Sequence, residues 1–237
     1  MNKTRQSTAN SMSSSNDKPR QATGDSQTRV RLIEAALRLF DRHGIEAVST
    51  RQIISEAGQS NQSVIHYYFG GRDGLIEAAM DFVMLLFQQF DDTLKQSMDK
   101  LDESLGDKPT CKATVREIVS ALLYPVMQWH QESPQARRAF RFLARLTQSD
   151  PKYYQMMISR FLPYHEPLIA RLQAAMPDQT EDVVRLKVYY ALGSILHSFS
   201  IMRVTLGAGP MHGVPSMKLA DIYVDFLAGA LEGSASS

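Results

Sequence analysis

Between Ser49 and Phe69 the chain concentrates side chains suited to reading nucleic acid. Asn61, Gln62, Ser63 and His66 stand close together and can reach base edges; the Asn and Gln amides can offer adenine a donor and an acceptor at once. Ser49, Thr50, Tyr67 and Tyr68 carry hydroxyls of the kind that settle on phosphate oxygens. Arg51 can pair with a phosphate or with a guanine edge. Other chemistry has no comparable support. The six histidines are scattered, no HExxH or CxxC pattern occurs, and no phosphate-cradling glycine loop or nucleophile elbow is present. No catalytic set, cofactor or metal is expected, and the chain does not read as an enzyme.

These residues need a scaffold, and the flanking pattern supplies one. Thr50 can cap a short helix in which Ile53 and Ala57 share a face, and Gly58 ends it in a left-handed conformation. A second short helix is expected to begin near Asn61, with Val64 and Ile65 as its apolar contacts. That is the layout of a helix-turn-helix, whose second helix lies in the DNA major groove. Taken alone, the same pattern also fits a surface helical hairpin that binds nothing. Thr28–Gly44 reads as an amphipathic helix with Val30, Ile33, Leu37 and Phe40 on one stripe, against which the hairpin packs. From Asp73 a much longer helix sets Leu75, Ala79, Val83, Leu86 and Phe90 along one face and runs towards Leu105. With one end at the hairpin and the other deep in the rest of the chain, it is a natural lever.

The order of these elements resembles the DNA-binding domain of the tetracycline-repressor (TetR) family of bacterial transcription regulators. The likeness covers about Thr28–Ala79 and rests on AALRLFDRHG, on ST before RQI, on EAG and on YYFGGRDGL. The chain departs from the family's usual residues at Ile54 and Gln59. Matched residue by residue, the resemblance implies base contacts from Arg51, Gln62, Ser63, Val64 and His66. It implies phosphate contacts from Ser49, Thr50, Tyr67 or Tyr68, and Arg72. It further implies a mostly apolar cavity for a small effector among the middle helices, and dimerisation through the last two long helices. Tyr124, Trp129, Phe140 and Met156, drawn from a region rich in aromatics and methionine, are nominated for the cavity wall.

Composition sets the remaining bounds. The 237 residues are 43% hydrophobic and carry a net charge of only +1, so nothing global announces a nucleic-acid partner. A local basic patch suffices for backbone binding, and Lys3, Arg5, Lys18, Arg20, Arg29 and Arg31 outnumber Asp17 and Asp25 at the front. Cys111 is alone, which excludes an intrachain disulfide and a four-cysteine zinc site and favours a reducing compartment. Met1–Gln27 lacks the apolar core of a signal peptide, and the longest apolar run, Phe82–Phe87, is too short to span a bilayer. A cytoplasmic location is expected.

The rest of the chain reads as helix after helix. Thr110 can cap one running to Glu132 with a kink at Pro125, and Ser133-Pro134 and Asp150-Pro151 open two more. The second of these, Lys152–Met176, is expected to bend or split at Pro163 and Pro167. Asp182–Leu206 and Ser216–Leu231 close the chain, with Gly207–Pro215 as a loop between them. The expected fold is all-α. It divides into a disordered tail (1–27), a helix-turn-helix DNA-binding domain (28–72) and a helical effector-binding and dimerisation domain (73–237). Two copies would place two recognition helices on a palindromic double-stranded operator. The rival reading is a helical small-molecule carrier or enzyme whose front hairpin is only a packing module.

Overall fold

Side-chain caps start four of the helices, and they fix where the others must turn. Ser49 opens α2 (Thr50–Glu56) through a capping box: its hydroxyl accepts from the Gln52 amide at 3.3 Å while the Gln52 side chain accepts from the Ser49 amide at 2.8 Å. Thr114 and Glu117 do the same for α5 (Val115–Glu132). Ser133 caps α6 (Pro134–Leu146) and Asp150 caps α7 (Pro151–Ala175), each with proline at the first helical position as expected. The remaining helices are α1 (Lys18–His43), α3 (Val64–Phe69), α4 (Arg72–Leu105), α8 (Glu181–Ala208) and α9 (Ser216–Glu232). The computed structural model describes residues 18–106, 113–208 and 216–233, with side chains over 25–106, 113–202 and 218–233. Among the described residues the protein is all-α, with no strand.

Several boundaries differ from the pattern-based expectation, each for a local reason. Helix α1 takes in residues 18–27, expected to belong to the disordered tail, because extending an existing helix adds a hydrogen bond per residue without a second nucleation cost. Asp25 fastens this extension by accepting the Tyr68 hydroxyl at 2.8 Å. The segment 1–17, expected to be disordered, lies outside the described residues. The caps are Ser49 rather than Thr50, and Thr114 rather than Thr110, which lies outside the described residues together with Cys111. Helix α7 runs unbroken through Pro163 and Pro167. The carbonyls those prolines leave without donors, at Ser159 and Pro163, belong to exposed residues, so water can satisfy them. Of the expected loop at Gly207–Pro215, the first two residues belong to α8 and the rest lies outside the described residues.

Two apolar cores result. The first joins Leu32, Ile33, Ala36 and Phe40 of α1 to Ile53, Ile54, Val64 and Ile65 of the hairpin and to Leu75, Ile76 and Val83 of α4. It continues into α6 and α7 through Phe142, Leu146, Tyr153 and Met157, so it crosses the boundary expected at residue 72. Val30, expected on the buried stripe, is exposed. Phe40 stacks on Phe142 at 6.1 Å, and Arg141 of α6 grips Asp41 of α1 with two donors, one at 2.9 Å. The second core collects α5, α8 and α9 around Ile118, Leu123, Val188, Phe199, Val224 and Leu227. Each large side chain buried in this way contributes about 1.5–3 kcal/mol, well above the ~0–1 kcal/mol of an exposed ion pair. At the far end Lys187 donates to the carbonyls of Leu231, at 2.8 Å, and of Gly233, tying the end of α9 to α8.

Candidate nucleic-acid interface and the neighbouring cavity

The turn between α2 and α3 is built by backbone chemistry that leaves polar side chains outward. Gly58 (φ +68°) follows the last residues of α2 in a Schellman arrangement, in which the Gly58 amide donates to Ser55 and the Gln59 amide to Ile54, both at 3.0 Å. Asn61 then accepts the Ser63 amide on its side-chain oxygen at 2.9 Å, a turn that delays α3 until Val64. The second helix therefore begins three residues later than the expected start at Asn61. Val64 and Ile65 face the core, while Gln62, Ser63, His66 and Tyr67 are exposed on one side.

This geometry sorts the expected contact residues. Arg51 stands exposed in the first turn of α2, and Gln62, Ser63 and His66 are presented together. Asn61 spends its side-chain oxygen on the turn, so it lacks the free donor–acceptor pair that adenine needs. Val64 is 6% exposed and cannot meet a base edge, which corrects that assignment. Of the tyrosine pair, Tyr67 is 74% exposed, whereas Tyr68 is half-buried with its hydroxyl on Asp25. That hydrogen bond, followed by burial, pushes the Tyr68 phenol above its ordinary value. Ser49 is committed as a helix cap and Thr50 is half-buried. Arg72, expected on a phosphate, is half-buried: its guanidinium donates to the carbonyls of Ile45 and Val48 and lies 5.9 Å from the Phe40 ring centre. It holds the loop between α1 and α2, and nothing in the pattern around GGRDG signalled that use.

Behind the hairpin, α4, α5, α6, α7 and α8 line a cavity of about 770 Å³ that opens to solvent beside Lys95, Tyr164 and Tyr190. Its wall is mostly apolar and aromatic, with Phe87 and Phe90 from α4, Phe140 from α6, Phe161 and His165 from α7, and Tyr189 from α8. Such a lining suits a small, largely apolar molecule. Of the four residues expected in the wall, only Phe140 reaches it. Trp129 stands behind, stacked on Phe90 at 4.6 Å. Tyr124 points to α9, where its hydroxyl donates to Asp221 at 2.5 Å. Met156 packs on the first core, and its neighbour Met157 lines the cavity instead. The spacing of Tyr154, Met157, Phe161, His165 and Leu168 along one face of α7 carried the signal for this wall.

Of the charged lining groups, Lys95 pairs with Asp91 at 2.5 Å and Arg171 with Asp102 of α4 at 2.7 Å. Arg171 holds the Asp102 carboxyl below the usual range. His165 stacks on Phe161 at 5.9 Å, and burial pushes its imidazole down to about 4. His130 does not line the cavity; it lies against Phe199 at 5.0 Å, and burial followed by the Arg137 charge lowers it to about 4 as well. Both rings are neutral when folded and titrate nearer 6.5 when unfolded. Their contribution is therefore complete above pH 6.5 and is lost as pH falls towards 4. Thermal melts are expected to show a steep decline between those values, and His130→Leu is expected to flatten it. An unchanged slope in that variant would refute the assignment.

Among the described residues no group of three or more His, Cys, Asp or Glu is placed to hold a metal, and no helix is long and apolar enough to cross a membrane. Comparison with known proteins gives a consistent picture. Residues 32–79 match the family described as bacterial regulatory proteins, tetR family, and residues 120–230 match the tetracyclin repressor-like C-terminal domain. The chain is 25% identical over 196 residues to the HTH-type transcriptional regulator BetI of Brucella anthropi, covering 83% of this chain and 91% of that protein. It is 26% identical over 201 residues to the nicotine-responsive transcriptional repressor HdnoR of Paenarthrobacter nicotinovorans, covering 83% and 94%. In fold it is similar to a crystal structure of a tetR family transcription regulator from Shewanella sp. PV-4. That structure has a TM-score of 0.57 and 15% identity, over 86% of this chain and 97% of the other.

Proposed function

The chain belongs to the tetR family of DNA-binding transcriptional regulators and is not an enzyme; on that premise we propose that it is a homodimeric repressor released from its operator by a small, largely apolar effector. One observation carries the effector reading: α4 buries Leu75 and Ile76 in the core of the hairpin and places Phe87 and Phe90 in the cavity wall. A ligand that prefers the conformation with misplaced recognition helices weakens operator binding, and the operator weakens the ligand equally. A coupling of about 1–3 kcal/mol changes affinity by roughly 5–150-fold. That HdnoR is nicotine-responsive supports a ligand-controlled regulator here. We assign the hairpin domain to residues up to about 72 and the effector and dimer functions to 73–237, and place the protein in the cytoplasm with its DNA.

The dimer reading rests on α8 and α9. Leu186 and Ile201 of α8 and Ile222 and Phe226 of α9 are all at least 40% exposed, and Gly229 lies among them, whereas Tyr190 and Gly193 of α8 face the cavity. So much apolar surface on two adjacent helices favours cover by a second copy in a two-fold, four-helix arrangement. Two recognition helices then fall about one helical turn of DNA apart, roughly 34–36 Å.

The test is fluorescence anisotropy on duplexes flanking the protein's own gene, at several salt concentrations. Arg51→Ala and His66→Ala are each expected to cost about 1–3 kcal/mol on the specific site and much less on random duplex. Equal losses on both would remove these residues from base readout. Reporter expression in a deletion strain gives the sign of regulation, and a rise on deletion is the expected result.

A further inference from the structure

Two helices, not one, run from the hairpin core along the cavity. Helix α7 lies parallel to α4 and is joined to it by polar ties in the same order along both: Asp81 to Arg160 at 2.9 Å, Gln88 to Tyr164 at 2.9 Å and Asp102 to Arg171 at 2.7 Å. The first tie of the series differs from these. Asp73 accepts the Tyr153 hydroxyl at 2.6 Å and the Lys152 ammonium at 2.8 Å, and the Tyr153 ring is 6% exposed in the same core as the hairpin. The Lys152 pair is largely exposed and by itself worth little, whereas the part-buried Tyr153 hydroxyl on the same carboxylate makes a charge-assisted bond with fixed direction. Burial and the bond to Asp73 push the Tyr153 phenol up to about 12, and the two donors hold Asp73 below its ordinary value.

The position of this node is what gives it a role. Arg72, the preceding residue, grips the carbonyls of Ile45 and Val48, the segment that leads into the Ser49 cap of α2. One turn beyond Tyr153 along α7 stands Met157, and further turns bring Phe161 and His165, all in the cavity wall. Shifting α7 to admit a ligand therefore pulls on Asp73, and moving Asp73 moves the seat of Arg72.

We propose that Tyr153 and Lys152 are positioning residues for DNA binding: by holding Asp73 they set the loop that orients α2, and they carry the state of the cavity to the hairpin along α7. This rests on the effector reading above. It assigns a route beside α4, with a buried phenol as its critical contact.

A cavity-filling substitution can stand in for the ligand. Leu192→Trp adds bulk to the α8 wall of the cavity, far along the chain from the node. Alone, it is expected to weaken binding to the specific duplex by roughly 5–150-fold. In a Tyr153→Phe background, which keeps the ring and removes the hydroxyl, the same substitution is expected to change binding less than about 3-fold, taking coupled sites to be non-additive. Asp73→Asn is expected to give the same loss of response. If Leu192→Trp weakens binding equally in all three backgrounds, the α7 route is overturned and the effector reading stands. If it changes nothing in any of them, both are overturned.

Discussion

A Phe226→Glu variant is expected to sediment as a monomer and to lose about 10²–10⁴-fold in affinity for a palindromic duplex, the gain that two linked binding events ordinarily supply. Phe226 is 60% exposed and sits one turn from Ile222, which is 49% exposed, on the outward side of α9. In an isologous interface a substitution appears twice, once on each copy. Two carboxylates then have to be desolvated with no opposite charge to meet them, at a cost of several kcal/mol each. The monomer should remain folded, because Val224, Leu227 and Leu231 on the inward side are untouched. Affinity for a duplex carrying a single half-site should therefore stay near the wild-type value. A dimer that persists, or an equal loss on palindrome and half-site, would sink the assignment of α8 and α9 as the interface.

Gly74→Ala should cost both stability and DNA binding, although the residue touches no ligand. The chain turns from α3 into α4 through Gly70 (φ +72°) and Gly71 (φ +133°), which folds the Phe69 carbonyl back against the first turn of α4. A Cβ at position 74 would lie 1.9 Å from that oxygen, a separation no real contact tolerates. Relief requires α3 to move away from α4, and overpacking of this kind costs about 1–3 kcal/mol, occasionally more. At about 2–4 °C per kcal/mol for a chain of this size, the melting temperature should fall by several degrees. Specific and random duplexes should be affected alike, since the whole hairpin loses its seat. A Gly74→Ala protein with wild-type melting and binding would contradict the geometry.

Much of this could be read from residue types alone, because period and caps are local properties. The stripes of α1 and α4, the proline-led starts of α6 and α7 and the glycine after α2 are short-range, and, Val30 apart, they appear where the pattern places them. The hairpin's exposed set, Gln62, Ser63, His66 and Tyr67, follows from the same logic once Val64 and Ile65 are buried. What escaped depends on contacts between distant segments. Asn61 fits the start of a helix equally well as a turn, and only the bond to Ser63 decides. Arg72 reads as a free cation until the Ile45 and Val48 carbonyls are brought beside it. The cavity wall required knowing which way each helix is rolled. One residue on a helix turns the side chain by about 100°, which is the whole difference between Met156 and Met157.

The unbroken course of α4 has a consequence for scale. Arg72 and Phe90 are eighteen residues apart in one helix, roughly 27 Å at ~1.5 Å per residue. Tilting that rod by about 2° swings its near end through an arc of ~1 Å over this length. On the proposed effector reading, a molecule that tilts α4 by this little moves the recognition helix by ~1 Å, enough to upset hydrogen bonds to base edges without melting it.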